Sequence, residues 1–322
     1  MTVRIQLGGT ELARVRFAVS PVYETVMALD VLRRPGVHAV HVPWARGARL
    51  LLADEPGLAL LWALVGNDRT KPSFLMPAPD SRLPDLDTEL RRVRATPAAR
   101  VREDLEPLMA KPTRVLREFH DDPRAGLPYV VSALRSCHEL IVAPHWTRMV
   151  RLLDADIAHR AATLADGGVE RLFADLHPEV GWVDGELVIY PNRTLRTTRV
   201  TLSGRGLVLC PSVFCWPRVT TAVRPAGPGT LRYPARGVAT LWESTGQTTD
   251  ALAALIGRTR ATMLVLLAQP ATTTDLATRL AVTPGAVSQH LGVLRDAGLV
   301  ATRRDGRAVL HLRTDRADAL LA

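Results

Sequence analysis

The chain has 322 residues, 47% of them apolar and 23% charged, and carries a formal net charge of +9. That composition belongs to soluble globular proteins and excludes disordered and collagen-like classes, while the length suits one large or two ordinary domains. No apolar run approaches the ~18 residues that a membrane span needs, so no membrane partner is expected; "ATMLVLLA", 261–268, is among the longest.

The opening stretch "MTVRIQLGGTELARVRFAVS" lacks the apolar region and cleavage site of a secretory signal. With only three cysteines there is no disulfide framework, and a reducing cytoplasm is the expected location. Ser20-Pro21 supplies an N-cap and a first-turn proline, which predicts a helix over "VYETVMALDVLRR". "GLALLWALVG" (57–66), "DTELRRVRATPAARVREDLEPLM" and "YVVSALRSCHELIV" continue the helical pattern, the last breaking at Ala143-Pro144. "HWTRMVRLLDADIAHRAATLAD" then runs to Gly167-Gly168, so the chain reads as helical to about residue 168.

From Gly181 the period changes to that of strands. Asp184-Gly185 in "GWVDGELVIY" is a two-residue hairpin signal, and "RVTLSGRGLVLCPSVFCW" reads as a second hairpin. The proline- and glycine-rich 224–237 reads as loop with a short strand at 231–233, and the polar 243–250 as the domain boundary.

Three helices follow. The first, 251–268, is apolar enough to be a buried spine. "TTTDLATRLAV" is short, with threonines available as caps and an acid in the first turn. The third, 283–297, has Thr283 as cap, Pro284 in its first turn and Gly298 as a left-handed stop. Only a few residues separate the second from the third, which forces a helix-turn-helix crossing. On a wheel of about 100° per residue, Val287, Leu291 and Leu294 form the buried stripe. Gly285, Ser288, Gln289, Gly292 and Asp296 take the opposite side, with His290 at the border. Glycine gives clearance and the short polar groups give contacts, which is the chemistry of base-edge reading in a major groove.

"LVATRRDGRAVLHLR" predicts a strand, an Asp305-Gly306 turn and a returning strand, with Arg303, Arg304 and Arg307 around the turn. Beside a helix-turn-helix, such a hairpin is a wing for the phosphate backbone or minor groove. Lysine stands only at 71 and 111, so the other 39 of the 41 basic residues are arginine. Between Arg258 and Thr314, eight arginines oppose three aspartates, placing +5 of the +9 in about a sixth of the chain. That clustering favours a polyanion as partner. The expected fold is α+β: a mainly helical domain over 1–245 with an antiparallel strand segment at about 181–235, then a winged helix-turn-helix over 250–322.

The segment 275–312, with "S-x-H-L-x-x-L-x-x-A-G-L-V" followed by "R-x-G-R", closely resembles the winged helix-turn-helix of ArsR/SmtB-type bacterial repressors. The resemblance covers about a fifth of the chain. It implies a homodimeric transcriptional regulator whose affinity for double-stranded DNA responds to a small-molecule effector. The DNA-contacting residues would be Thr283, Gly285, Ser288, Gln289, His290, Arg295, Arg303, Arg304 and Arg307. The preceding region, with "FAVSPVYE", "LFADLHPEV" and "PSVFCWPRV", looks like the large N-terminal domain attached to such modules in actinobacterial regulators. The paired cysteines of the metal-sensing members have no counterpart in "TTTDLATRL", and the zinc-type Asp and His ligands of the last helix have no clear one, so metal sensing is not carried over.

Plainer roles compete with several of these readings. Ser288 and Gln289 also suit a solvated face, His290 a brace for the fold, and the wing arginines ordinary surface charge. Cys210 and Cys215 lie in an apolar run and read as small core residues. Cys137, His138 and His145, or Asp154, Asp156 and His159, have the residue types of metal ligands, but structural roles fit their spacing better. Trp146, Trp182, Trp216 and Trp242 read as core or as a ligand pocket. No Gly-rich phosphate loop, G-x-S-x-G or H-E-x-x-H is present, so neither cofactor nor catalytic residues are expected. A hydrolase-like or protein-docking N-terminal domain is the alternative.

Overall fold

The computed structural model describes residues 2–34, 38–66, 71–190, 197–223, 227–242, 252–268, 270–280, 282–305 and 308–321. They fall into two units, 1–242 and 243–322. The stretch 243–250, where the sequence places the boundary, lies outside the described residues. The fold is α+β, with a helix-turn-helix and strand hairpin in the second unit.

The first unit opens with strands, β1 (Thr2–Gln6) and β2 (Arg16–Phe17), where the sequence suggested helix. Helix α1 (Pro21–Arg33) then begins as expected, with Ser20 Oγ accepting from the Tyr23 amide at 3.0 Å. Every residue from Pro21 to Leu32 is buried, the mark of a helix surrounded by protein. Against it pack α2 (Val42–Leu51), α3 (Leu58–Val65), α4 (Leu86–Arg94) and α7 (Pro123–Cys137), while α5 (Ala98–Leu105) and α6 (Arg114–Asp121) pack on α7. Val26, Leu29, Leu61, Leu64, Leu90, Val130 and Leu134 share one core with them.

Helix α8 (Trp146–Leu176) is interrupted where Gly167-Gly168 foretold a stop. Gly168 has φ 66° and ψ −168°, a backbone that glycine alone adopts easily, and the chain resumes helix at once. The resumed turns bring Leu172, Phe173 and Leu176 onto the sheets.

The remaining strands are β3 (Val180–Val183), β4 (Glu186–Ile189), β5 (Thr197–Thr201), β6 (Leu207–Ser212), β7 (Thr220–Ala222) and β8 (Gly229–Pro234). Asp184 (φ 54°) and Gly185 (φ 77°) make the predicted β3–β4 hairpin turn. The second predicted hairpin does not form. β5 pairs parallel with β1 in one sheet, ordered β3-β4-β1-β5, whereas β6 lies in the other, ordered β2-β6-β8-β7. Ser203, Gly204 and Gly206 do turn the chain with positive φ, but from one sheet into the next. Gly206 is fixed by space as well, since a Cβ there would stand 2.6 Å from Arg14. Both sheets are mixed rather than purely antiparallel: β6 runs parallel to β2 and β8. β6 and β8 are buried along their whole length, as parallel strands covered on both faces are.

Buried polar groups tie these layers together. Glu24 on α1 accepts from the amides of Val213 and Phe214, at 3.0 and 3.3 Å, just after β6. Burial pushes its carboxyl up to about 7, and does the same to Glu89, which takes the Ser20 hydroxyl and the Val22 amide.

Candidate nucleic-acid interface

In the second unit the apolar spine is broken at Gly257 (φ 88°), after which α9 (Arg258–Leu266) begins. Helix α10 (Thr273–Leu280) starts with a reciprocal cap. Thr272 Oγ1 accepts from the Asp275 amide at 3.1 Å, and the Asp275 carboxylate accepts from the Thr272 hydroxyl at 2.7 Å and its amide at 3.0 Å. These bonds hold the Asp275 carboxyl below its ordinary value.

Helix α11 (Pro284–Asp296) has the ends that its sequence implies. Thr283 Oγ1 accepts from the Ala286 amide at 3.3 Å. Gly298 sits at φ 70°, its amide donating to Arg295 and the next amide, of Leu299, to Leu294, both at 2.8 Å. This left-handed stop satisfies two terminal carbonyls and packs Leu299 beside Leu294. Thr314 then ties the stop to the chain beyond the wing, its Oγ1 donating to the Gly298 carbonyl at 2.7 Å.

Val287, Leu291 and Leu294 are buried, at 0, 3 and 1% exposure, against Leu264, Leu276 and Val300. Gly285, Ser288 and Gln289 are exposed, Gly292 and His290 half-buried. Val293, which the sequence reading left off both faces, is exposed on the outer side. Thr283 and Arg295 are exposed at the two ends of the helix.

The hairpin pairs β9 (Val300–Asp305) with β10 (Ala308–Arg313) antiparallel, Arg303 opposite Leu310 and Arg304 opposite Val309. Arg303 is exposed. Arg307 and the turn glycine lie outside the described residues, and of Arg304 only the backbone is described.

One residue that the sequence reading missed joins the hairpin to the helix-turn-helix. His311 on β10 is 7% exposed, and its backbone pairs with Ala271 through bonds of 2.9 and 3.1 Å. Its Nε2 meets Thr273 Oγ1 at 3.1 Å, at the start of α10, and its Nδ1 meets Thr302 Oγ1 at 3.3 Å on β9. Burial, with Arg295 adding to it, holds the imidazole below its ordinary 6.5. The folded unit therefore binds fewer protons here than the unfolded chain. Its contribution to stability is fully present above about 6.5 and lost as pH falls below that value. An NMR titration of His311 should show its inflection below 6.5, and an inflection at or above that value would contradict the clamp.

The first unit gathers no metal or catalytic set from the candidates that its sequence raised. Cys137 and Cys215 are buried with thiols pushed up to about 12, and Cys210 to about 11. His138 bonds Thr25 Oγ1 at 2.9 Å and is driven down to about 4 by burial. Asp154 pairs with Arg82, while Asp156 accepts from the Tyr233 hydroxyl and the Arg236 amide, and His159 meets Asp175 and Arg236. Among the described residues no three His, Cys, Asp or Glu side chains are placed to hold a metal ion. The four tryptophans stand apart: Trp146 against His138, Trp182 on Phe173, Trp216 40% exposed, and Trp242 stacked near Trp44 with its Nε1 donating to His41. No helix among the described residues is long and apolar enough to cross a membrane.

Comparison with curated proteins and with solved structures finds no match. Two family models do match. Residues 92–239 match a family of unknown function, DUF5937, and residues 258–302 match the model for bacterial regulatory proteins of the arsR family. The chain thus joins a C-terminal region that matches the arsR-family helix-turn-helix, a DNA-binding element of transcriptional regulators, to a preceding region that matches DUF5937.

Proposed function

We propose that the protein is a sequence-specific, homodimeric repressor of the cytoplasm whose DNA affinity answers to a small molecule held by the N-terminal domain. Helix α11 enters the major groove, where Gly285 gives clearance and Ser288, Gln289 and His290 meet base edges. Thr283, Arg295 and the wing arginines 303, 304 and 307 engage the phosphate backbone, the wing tip reaching the minor groove. Two copies read half-sites about one helical turn apart. The effector shifts their relative placement, a coupling of typically ~1–3 kcal/mol.

The observation that carries this reading is the split character of α11. Its buried face is Val287, Leu291 and Leu294, and its open face offers Gly285, Ser288 and Gln289 where a helix made only for water would carry Glu and Lys. A catalytic role for the N-terminal domain finds no support in its cysteines, whose raised thiols are poor nucleophiles.

Fluorescence anisotropy on the upstream DNA and on a scrambled duplex, across a salt series, tests it. The native duplex should bind more tightly, with steep salt dependence. Gln289→Ala should cost about 1–3 kcal/mol on the native duplex and leave the scrambled one unchanged. Arg303→Ala should weaken both alike and lower the salt slope by about 1. Equal loss on both duplexes for Gln289→Ala would rule out base reading, and no binding to either at low salt would rule out the DNA role.

A further inference from the structure

The first unit contains a cleft of about 470 Å³, within the ~300–1,000 Å³ of small-molecule sites, whose inner wall is Arg232 of β8 and Tyr23 of α1. Met27, Met76, Ala222 and Val223 give it apolar sides. Arg232 is 1% exposed and among the largest fully buried side chains of the described residues. Its Nη1 donates to Thr230 Oγ1 at 3.0 Å and its Nη2 to the Met76 carbonyl at 2.9 Å, while the Tyr23 ring covers the guanidinium with its centroid 4.6 Å away. Nε has no acceptor.

The other cations of the cleft each meet a carboxylate. Lys71 lies 3.2 Å from Asp30, which it shares with Arg34, and Arg100 meets Glu103 at 2.8 Å and Asp104 at 3.0 Å. Arg232 has no carboxylate within 4.0 Å among the described residues. A guanidinium does not shed its proton, and a buried charge without a partner is costly. Glu89 acts on it only from farther off, and one of the two Glu89 oxygens is itself without a donor among the described residues. At its Arg232 end the cleft therefore lacks a counter-charge, next to apolar walls.

We propose that this cleft binds a small organic monoanion, a carboxylate with an apolar body, whose carboxylate pairs with Arg232 while its body lies against Met27, Met76 and Val223. One uncompensated cation, beside the acids Glu103 and Asp104, selects a single charge over a phosphate's two. Planar carboxylate against planar guanidinium also permits paired hydrogen bonds. Binding here stands without the DNA reading, whereas its use as the regulatory signal rests on that reading.

Calorimetry and thermal melting of the full chain, free of DNA, separate the two. The probes are phenylacetate, octanoate and indoleacetate at millimolar concentration, each beside its neutral amide. At least one acid should bind and raise Tm, with its amide weaker by about tenfold or more. Arg232→Met should abolish the difference between acid and amide. Because a buried arginine can be needed for folding, Ala222→Trp, which fills the cleft from the edge strand β7, is the second variant and should lose binding. Binding by none of the acids, equal binding of acid and amide, or undiminished binding in Ala222→Trp would each overturn the proposal. Anisotropy on the upstream duplex with and without the bound acid then reads the regulatory step alone: a shift in DNA affinity supports it, and no shift removes the signalling role while leaving the site.

Discussion

Glu24→Ala is expected to destabilise the N-terminal unit by about 2–6 kcal/mol under mildly acid conditions, because it orphans two buried amides at roughly 1–3 kcal/mol each. Those amides, of Val213 and Phe214, have their acceptors in the Glu24 carboxyl, and the residue is 1% exposed. The deficit should shrink as pH rises. The Glu24 carboxyl is pushed from 4.5 to about 7 in the fold, so the native state binds the extra proton between those values. Wild-type stability therefore falls from this group as pH climbs from 4.5 to 7, by up to ~3 kcal/mol, and the alanine variant lacks that slope. Glu24→Gln should be intermediate and flat with pH, since an amide oxygen keeps one acceptor and carries no charge. Urea unfolding at about pH 5 and about pH 8 decides it. Comparing variant with wild type at each pH cancels the opposite slopes of buried histidines such as His41 and His138, both driven down to about 4. An equal deficit at both pH values would mean that Glu24 is not titrating in this window.

Leu294→Ala should weaken specific DNA binding through folding rather than contact. Leu294 is 1% exposed and packs in the C-terminal core with Val287, Leu291 and Leu299. Truncating a buried leucine costs about 2–5 kcal/mol, and a unit of this size holds only on the order of 5–15 kcal/mol in all. Val293→Ala, one residue away and 51% exposed, should stay within about 0.5 kcal/mol of wild type in stability. All six tryptophans stand at or before Trp242, so their emission follows the N-terminal unit while circular dichroism follows the whole chain. The expected result is an unchanged tryptophan transition, an earlier dichroic one and a reduced anisotropy signal on DNA. If Leu294→Ala unfolded both units together, the separation would be wrong.

Much of the second unit was legible in the sequence because its instructions are local. Thr283, Pro284 and Gly298 bound one helix through bonds that span at most five residues, and the pattern of Val287, Leu291 and Leu294 names the buried face without reference to anything distant. Gly257 is the local exception: it lies inside the apolar run 251–268 that reads as one helix, and its positive φ ends the helix there. The first unit hides more. "RVTLSGRGLVLC" has every mark of a hairpin, yet its strands find partners at Thr2–Gln6 and Gly229–Pro234, and no periodicity reveals a partner so far away. Arg232 is likewise silent in "TLRYP": one arginine among 39 becomes distinctive only when its burial and missing counterion are seen. His311 could have been suspected, as a lone histidine alternating with apolar neighbours in a returning strand.

The place of β1 has a consequence during synthesis. It lies between β4 and β5, and Val3 faces Ile189, so the strand is made well before the neighbours that complete its place in the sheet. At ~5–20 residues per second the strand waits about 10–40 s for its neighbours. Initiation at a downstream methionine such as Met27 would deliver α1 in part and neither β1 nor β2, leaving β5 without its inner partner and β6 without one of its two. A shortened translation product of that kind would be a clearance substrate rather than a smaller regulator.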